Sequence, residues 1–190
     1  MHDAYVQTRT GNGFAQFDTT IGRCAIAWGE RGVVAVQLPE ASASAMCRRV
    51  VRRVPDAREA VPPPTVKRAV DGIVALLLGE AIDLRFVPIA IDGLPSFDRR
   101  VYEVARAIPC GATLTYGEVA GRIGPPSSPR HVGRALGRNP FPIIVPCHRV
   151  LAADGKAGGF SAPGGVATKL RLLSIEGAVP ASLPFPDGSP

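Results

Sequence analysis

Ile143-Ile144-Val145-Pro146-Cys147-His148-Arg149-Val150-Leu151 is the stretch on which the reading of this chain turns. An apolar run stops at a proline, presents a thiol, an imidazole and a guanidinium in succession, and becomes apolar again. This pattern predicts two buried strands flanking a cysteine held at the edge of a core. In extended backbone, successive side chains point apart, so Cys147 and His148 would communicate through a bridging water rather than directly. A cysteine is nucleophilic as the thiolate, and a basic, partly dehydrated site favours that form.

Working upstream, Asn139-Pro140-Phe141-Pro142 reads as a rigid turn. Before it, Ser128 caps and Pro129 opens a helix running to about Arg138. Arg130, Arg134 and Arg138 are spaced four apart and share a face, with Gly133 and Gly137 close to it. Val132, Ala135 and Leu136 form the opposite, core-facing stripe. Small residues among arginines would let a helix backbone approach a phosphate chain closely, although the same glycines would also suit packing on a neighbour. Thr115-Tyr116-Gly117-Glu118 is a capping box opening a shorter helix that ends at Gly124. The two short helices, joined by Pro125-Pro126-Ser127-Ser128, make a helix-turn-helix candidate. Further back, Ser96 caps a helix burying Val101, Val104, Ala105 and Ile108 and closed by Pro109-Cys110-Gly111.

Downstream, residues 154–165 form a long glycine-rich loop whose amides can approach a ligand closely. Val166 to Glu176 reads as a final helix with Val166, Leu170 and Leu173 on its core face. The tail at 179–190, rich in proline and small polar residues, is expected to be flexible.

The first half has a different rhythm. Phe14–Asp18, Cys24–Trp28 and Val33–Leu38 read as a meander of strands, with Cys24, Ile26 and Trp28 alternating. Ala41–Val54 is an amphipathic helix with Arg48, Arg49, Arg52 and Arg53 mostly off its apolar face. Pro62-Pro63-Pro64 interrupts the chain, Thr65–Leu78 is helical and Leu84–Ile91 is extended. The expected fold class is α+β, with a small α/β domain over 1–94 and a mainly helical domain over 95–178.

Hydrophobic content of 46% and charged content of 20% fit a globular chain. The 11 basic and 10 acidic side chains of residues 1–95 nearly balance, whereas residues 96–190 carry 11 and 6. Five arginines (Arg122, Arg130, Arg134, Arg138 and Arg149) lie between 116 and 149 against Glu118 alone. Such a stripe suits a polyanion, and charge alone does not separate that reading from a solvated basic surface. Cys24, Cys47, Cys110 and Cys147 are too scattered for a zinc site and read as free thiols, with only His2 and His131 as further imidazoles. No signal pattern or membrane-length run is present, so the expected location is cytoplasmic. Glu176 is placed to orient the His148 ring, as the third group of a nucleophile–base pair does.

Together these motifs resemble the O6-alkylguanine-DNA alkyltransferases, the methylated-DNA–protein-cysteine methyltransferases. The resemblance runs over about residues 96–177: Ile108-Pro109, Thr115-Tyr116-Gly117-Glu118-Val119-Ala120, Arg130-x-Val132-Gly133-x-Ala135, Asn139-Pro140, Val145-Pro146-Cys147-His148-Arg149-Val150, Gly159-Phe160-Ser161, Lys169 and Glu176-Gly177. It implies a ribonuclease H-like first domain and a winged-helix or helix-turn-helix-like second one. It also implies a monomer that needs no cofactor or metal, uses no membrane, and acts on alkylated double-stranded DNA.

In that family the alkyl group of O6-alkylguanine, and by extension O4-alkylthymine, passes once from a flipped base to a cysteine, here Cys147. His148 and Glu176 would help form the thiolate, Asn139 would brace the turn, and Tyr116 with Lys169 would assist departure of the guanine. Arg130 would fill the space of the flipped nucleotide, with Tyr116, Gly117, Gly133 and Arg134 along the DNA. Pro146, Val150, Phe160 and Ser161 would line the pocket, the Val150 carbonyl and Ser161 amide reading guanine edges. Phe160 stands where many members have tyrosine, and the loops Pro125–Pro129 and Ser161–Pro163 are slightly longer than in some relatives. A non-catalytic binder of alkylated DNA and a cysteine hydrolase are the competing classes. Cys147 argues against the first, and the arginine stripe has no use in the second.

Overall fold

Three antiparallel strands open the described part of the chain, which in the computed structural model comprises residues 12–153 and 155–178. β1 (Gly13–Thr19), β2 (Gly22–Gly29) and β3 (Gly32–Gln37) form the meander, and β4 (Arg58–Glu59) adds a short parallel edge beside β1. The sheet order is β3-β2-β1-β4. Alternation along β2 is only half its story, because Cys24 to Trp28 are all buried. One face, with Cys24, Ile26 and Trp28, packs on α2 (Pro64–Leu77) through Ala69, Ile73 and Leu76. The other face offers Ala25 and Ala27 to Met46 and Val50 of α1 (Ala43–Arg53), whose first turn Ser42 caps. Small side chains on that face let the helix lie close to the sheet.

After α2 the chain forms a single 3-10 turn at Leu84–Phe86, where continuous extended structure was expected; Asp83 caps it by accepting from the Arg85 amide. Only Ile89 then bridges to Val33. α3 (Ser96–Arg106), α4 (Tyr116–Ile123) and α5 (Pro129–Gly137) pack on one another. The capping box at Thr115 and Glu118 and the Ser128 cap form as expected. Ser96 does not cap α3: the cap position falls on Pro95, and Ser96 is the first helical residue. β5 (Leu114–Thr115) pairs in parallel with β6 (Val150–Leu151), and α6 (Gly165–Ile175) closes the described chain.

The molecule is thus a mixed α+β structure with one main hydrophobic cluster. That cluster runs from Ile26, Val36 and Leu76 through Val101, Val132 and Phe141 to Val150 and Leu172. The two halves are also tied by backbone, since the Val36 amide donates to the Pro140 carbonyl (2.8 Å) at the turn before Cys147. The tail expected to be flexible lies outside the described residues. Among the described residues no helix is long and apolar enough to cross a membrane.

Candidate active site

The segment leading to Cys147 is not a strand. Ile143 adopts φ 74°, a left-handed conformation that a β-branched residue takes only under constraint. The constraint is Asn139, which is buried at 8% exposure. Its Nδ2 donates to the Val145 carbonyl and its Oδ1 accepts from the Phe141 amide, both at 2.9 Å. A further backbone bond from the Val145 amide to the Phe141 carbonyl (2.7 Å) closes the loop. Cys147–Arg149 is then a single 3-10 turn, not extended backbone, and β6 follows immediately. An apolar run of this length fits a buried loop as well as a strand when side-chain hydrogen bonds satisfy its backbone.

The turn sends its three polar side chains to different places. Cys147 faces a cavity of about 580 Å³ that is also lined by Tyr116, Arg130, Gly133, Phe160 and Ser161. His148 points inward with no exposed surface, and its Nε2 lies 2.9 Å from Glu176 Oε1. Its Nδ1 is buried with no hydrogen-bond partner among the described residues. Arg149, counted above in a basic stripe, is instead interior: Nε donates to Glu176 Oε2 (2.8 Å), Nη2 to Oε1 (2.9 Å) and Nη1 to the Ile108 carbonyl. Arg138 also leaves the stripe, pairing through Nη2 with the buried Asp98 of α3 at 2.8 Å.

Burial pushes the Cys147 thiol above its ordinary pKa, while hydrogen bonding from the Asn139 side chain and the nearby Lys169 charge pull the other way. Burial likewise lowers the His148 pKa and keeps the imidazole neutral, despite Glu176. Glu176 itself would be raised by burial, but its bonds to His148 and Arg149 hold it at about 2. The pair therefore consists of an ionised carboxylate, held by the guanidinium, and a neutral ring. A carboxylate is acceptor only, so Nε2 carries the ring proton and Nδ1 is the open acceptor.

α6 brings a second polar group into the core. Its buried face carries Lys169, Leu172 and Leu173, whereas Val166, expected on that face, is 44% exposed. Lys169 Nζ donates to the Val150 carbonyl (2.6 Å) and lies 5.7 Å from the Tyr116 ring centroid. Burial lowers its pKa to about 8. Tyr116, at the start of α4, has its phenol pKa raised by burial and by Cys147, so it stays protonated at neutral pH. Gly158 packs on its ring, with an ideal Cβ 3.4 Å from Tyr116 Cε2, and its φ of +63° lies in the left-handed region that favours glycine. Gly133 of α5 lies against the other edge of the ring, where a Cβ would sit 3.8 Å from Cε1.

Cys147, Tyr116, Arg130, Gly133, Phe160 and Ser161 are thus gathered around one cavity. His148, Glu176, Asn139, Pro146 and Lys169 lie behind it in the protein interior. Arg130 and Arg134 are exposed on α5 and have no carboxylate partner among the described residues, and Gly117 is exposed on the first turn of α4. The Val150 carbonyl already accepts from Lys169. Arg149 is the site residue whose role the sequence reading missed, and only its adjacency to His148 hinted at it. Among the described residues no cluster of three or more His, Cys, Asp or Glu could hold a metal ion, and the four cysteines are unpaired with one another.

A family model described as the DNA-binding domain of 6-O-methylguanine DNA methyltransferase matches residues 96–178. A methylated-DNA–protein-cysteine methyltransferase of Methanothermobacter thermautotrophicus is 41% identical over 152 residues, covering 80% of this chain and 78% of that protein. The bifunctional transcriptional activator/DNA repair enzyme Ada of Escherichia coli is 34% identical over 163 residues, 86% of this chain but 45% of its own length. Among solved structures, Mycobacterium tuberculosis OGT in complex with DNA superposes with a TM-score of 0.68 at 33% identity, covering 89% of this chain and 96% of that one.

Proposed function

The chain belongs to the methylated-DNA–protein-cysteine methyltransferase family, and from that premise we propose that it repairs O6-alkylguanine in duplex DNA by moving the alkyl group once, and irreversibly, to Cys147. The observation that carries this reading is the placement of the Cys147 thiol in a cavity that Arg130 also lines, with a neutral histidine and an ionised carboxylate behind it. A lone pair of sulfur attacks the alkyl carbon, the C–O6 bond breaks, and its electrons pass to the guanine, which takes up one proton. The thiol loses one, so the transfer is proton-neutral. His148 Nδ1, the ring's open acceptor, takes the thiol proton through a bridging water, and Glu176 steadies the ring. Lys169 favours the thiolate by its charge, while the protonated Tyr116 hydroxyl donates to the departing base. Asn139 holds the turn that aims the thiol. A thioether has no route back to thiol here, so each molecule acts once.

A base inside the stack cannot reach a thiol that is 8% exposed, so the lesion must be flipped out. Arg130 fills the gap left in the duplex, and Arg134, Gly117 and Gly133 lie along the backbone, α5 serving as the groove helix of a helix-turn-helix unit. Phe160 and Ser161 line the pocket, while Pro146 and Val150 support the Cys147 turn from behind; Phe160 can stack on a base but cannot donate a hydrogen bond. The described part of the first domain, residues 12–94, is a ribonuclease H-like support, and the second, over 95–178, is a winged-helix-like domain in which β5 and β6 flank the helices. The same pocket admits O4-alkylthymine, and the protein acts as a cytoplasmic monomer.

The test is intact mass after mixing with a duplex containing O6-methylguanine. One methyl adduct should form, mapped to Cys147, and Cys147→Ala should form none. A folded wild-type protein that takes up no methyl group would refute the reading.

A further inference from the structure

Cys147 stands where two cavities meet. Beside the larger one lies a second of about 140 Å³, between α1 and the glycine-rich loop, which shares Cys147, Phe160 and Ser161 with the first. Its lining also includes Arg49 and Arg53, one turn apart on α1. Arg49 Nε lies 3.3 Å from Glu40, a single contact that leaves most of its donors open. Arg53 has no carboxylate partner among the described residues. Burial and the neighbouring Arg49 both disfavour its charge, so a negative group between the two would be welcome.

Building on the alkyl-transfer reading above, we propose that Arg49 and Arg53, which line the second cavity with Cys147, favour transfer of O6-alkyl groups ending in a carboxylate, such as carboxymethyl, over neutral groups of the same size. In an in-line displacement, sulfur, carbon and O6 fall on one axis, with the guanine in the larger cavity. The remaining substituent of that carbon must project sideways from the axis, beside the thiol. The second cavity, which Cys147 also lines, offers that space. At about 30 Å³ per water-sized group, it has room for the three heavy atoms of a carboxylate and some solvent. The step balances as before: the S–CH2 bond forms, the CH2–O6 bond breaks, the guanine gains the proton that the thiol loses, and the carboxylate is unchanged.

The test uses free nucleobases, so that contacts to DNA phosphates cannot enter. O6-Methyl-, O6-carboxymethyl- and the neutral O6-carbamoylmethylguanine are each mixed with wild type, Arg53→Gln and the Arg49→Gln/Arg53→Gln pair, and adduct formation on Cys147 is timed by intact mass. A charge-assisted hydrogen bond lost from the transition state should slow carboxymethyl transfer by about tenfold, with the other two rates held to within about twofold. Equal slowing of all three groups, or an unchanged carboxymethyl rate, overturns the proposal. The same series in duplex DNA separates the alternative: a loss seen only in duplex, whatever the alkyl group, makes the arginines phosphate contacts and also overturns it. If wild type fails even with O6-methylguanine, both free and in duplex, the alkyl-transfer reading itself has failed.

Discussion

Replacing Glu176 by glutamine should damage this protein more than its mild chemistry suggests. The carboxylate has no exposed surface and accepts from His148 Nε2 and from Nε and Nη2 of Arg149, at 2.8–2.9 Å. Glutamine keeps one acceptor oxygen and turns an N–H2 group toward a donor. Arg149, 6% exposed, then sits in the core without its counter-charge. Breaking one side of a buried ion pair costs about 3–5 kcal/mol. The proton equilibrium gives a similar figure by a separate route. Glu176 titrates at about 2 in the fold and near 4.3 in an unfolded chain, a difference worth about 3 kcal/mol.

Because the folded value is the lower one, that stability is fully present above about pH 4.3 and is lost as pH falls toward 2. Urea denaturation at pH 7, repeated in steps down to acid, measures both quantities. Glu176→Gln should lose most of this stability at pH 7 and should lack the corresponding part of the acid slope. The Arg149→Met/Glu176→Leu pair, which removes both charges, should lose much less than the two single changes added together. A Glu176→Gln protein within about 1 kcal/mol of wild type at pH 7, with an unchanged acid slope, would refute the reasoning.

Asn139→Ala removes both bonds that close the turn and strands a buried carbonyl and amide, so denaturant titration should show a loss of about 2–4 kcal/mol. Arg130→Ala lies on the surface and should change stability by no more than about 0.5 kcal/mol. Its repair of duplex should nonetheless fall far more than its reaction with free O6-methylguanine, and equal losses would mean that Arg130 is structural. Lys169 titrates at about 8 in the fold, against about 10.4 when unfolded. The unfolded chain therefore holds that proton over the interval, and wild-type stability should gain about 3 kcal/mol from this group as pH rises across it. Lys169→Met should lack that rise, and identical slopes for the two proteins would show that the lysine is not buried as described.

Much of the second half was legible because its helices begin with strong local chemistry. Thr115 with Glu118, and Ser128 with Pro129, mark their helix starts within a few residues of sequence, and both caps form. β4 was invisible for the opposite reason. Arg58 and Glu59 are exposed and polar, and only their backbone pairs with β1. The alternation along β2 gave the strand but hid its second buried face, because the alanines there signal burial weakly until α1 is seen to cover them. The run from Ile143 to Val145 misled as a strand because periodicity cannot distinguish a strand from a loop tied by the side chain of Asn139. Arg149 was hardest to place. A cation reads as surface until its partner is known, and that partner lies 27 residues away.

The interior place of Arg149 bears on how a single-use nucleophile is kept intact. Burial leaves Cys147 protonated at rest, which protects it from casual electrophiles, since the thiolate is the reactive form. A fixed cation at the thiol would undo that protection, and the guanidinium beside His148 could have been one. Glu176 neutralises Arg149 instead and draws it toward the Ile108 carbonyl, away from the cavity. What remains near the sulfur is Lys169, whose charge burial weakens, and a neutral imidazole with one open nitrogen. Glu176 therefore serves two functions through different partners, its Oε1 shared by His148 and Arg149 and its Oε2 held by Arg149 alone. Its pairing with Arg149 belongs to the fold, while its bond to His148 fixes the tautomer that can accept the thiol proton. A substitution at Glu176 removes both at once. A change at Arg149 that leaves the carboxylate facing His148 should disturb stability first and alkyl transfer second, which makes Arg149 the position from which the two roles can be separated.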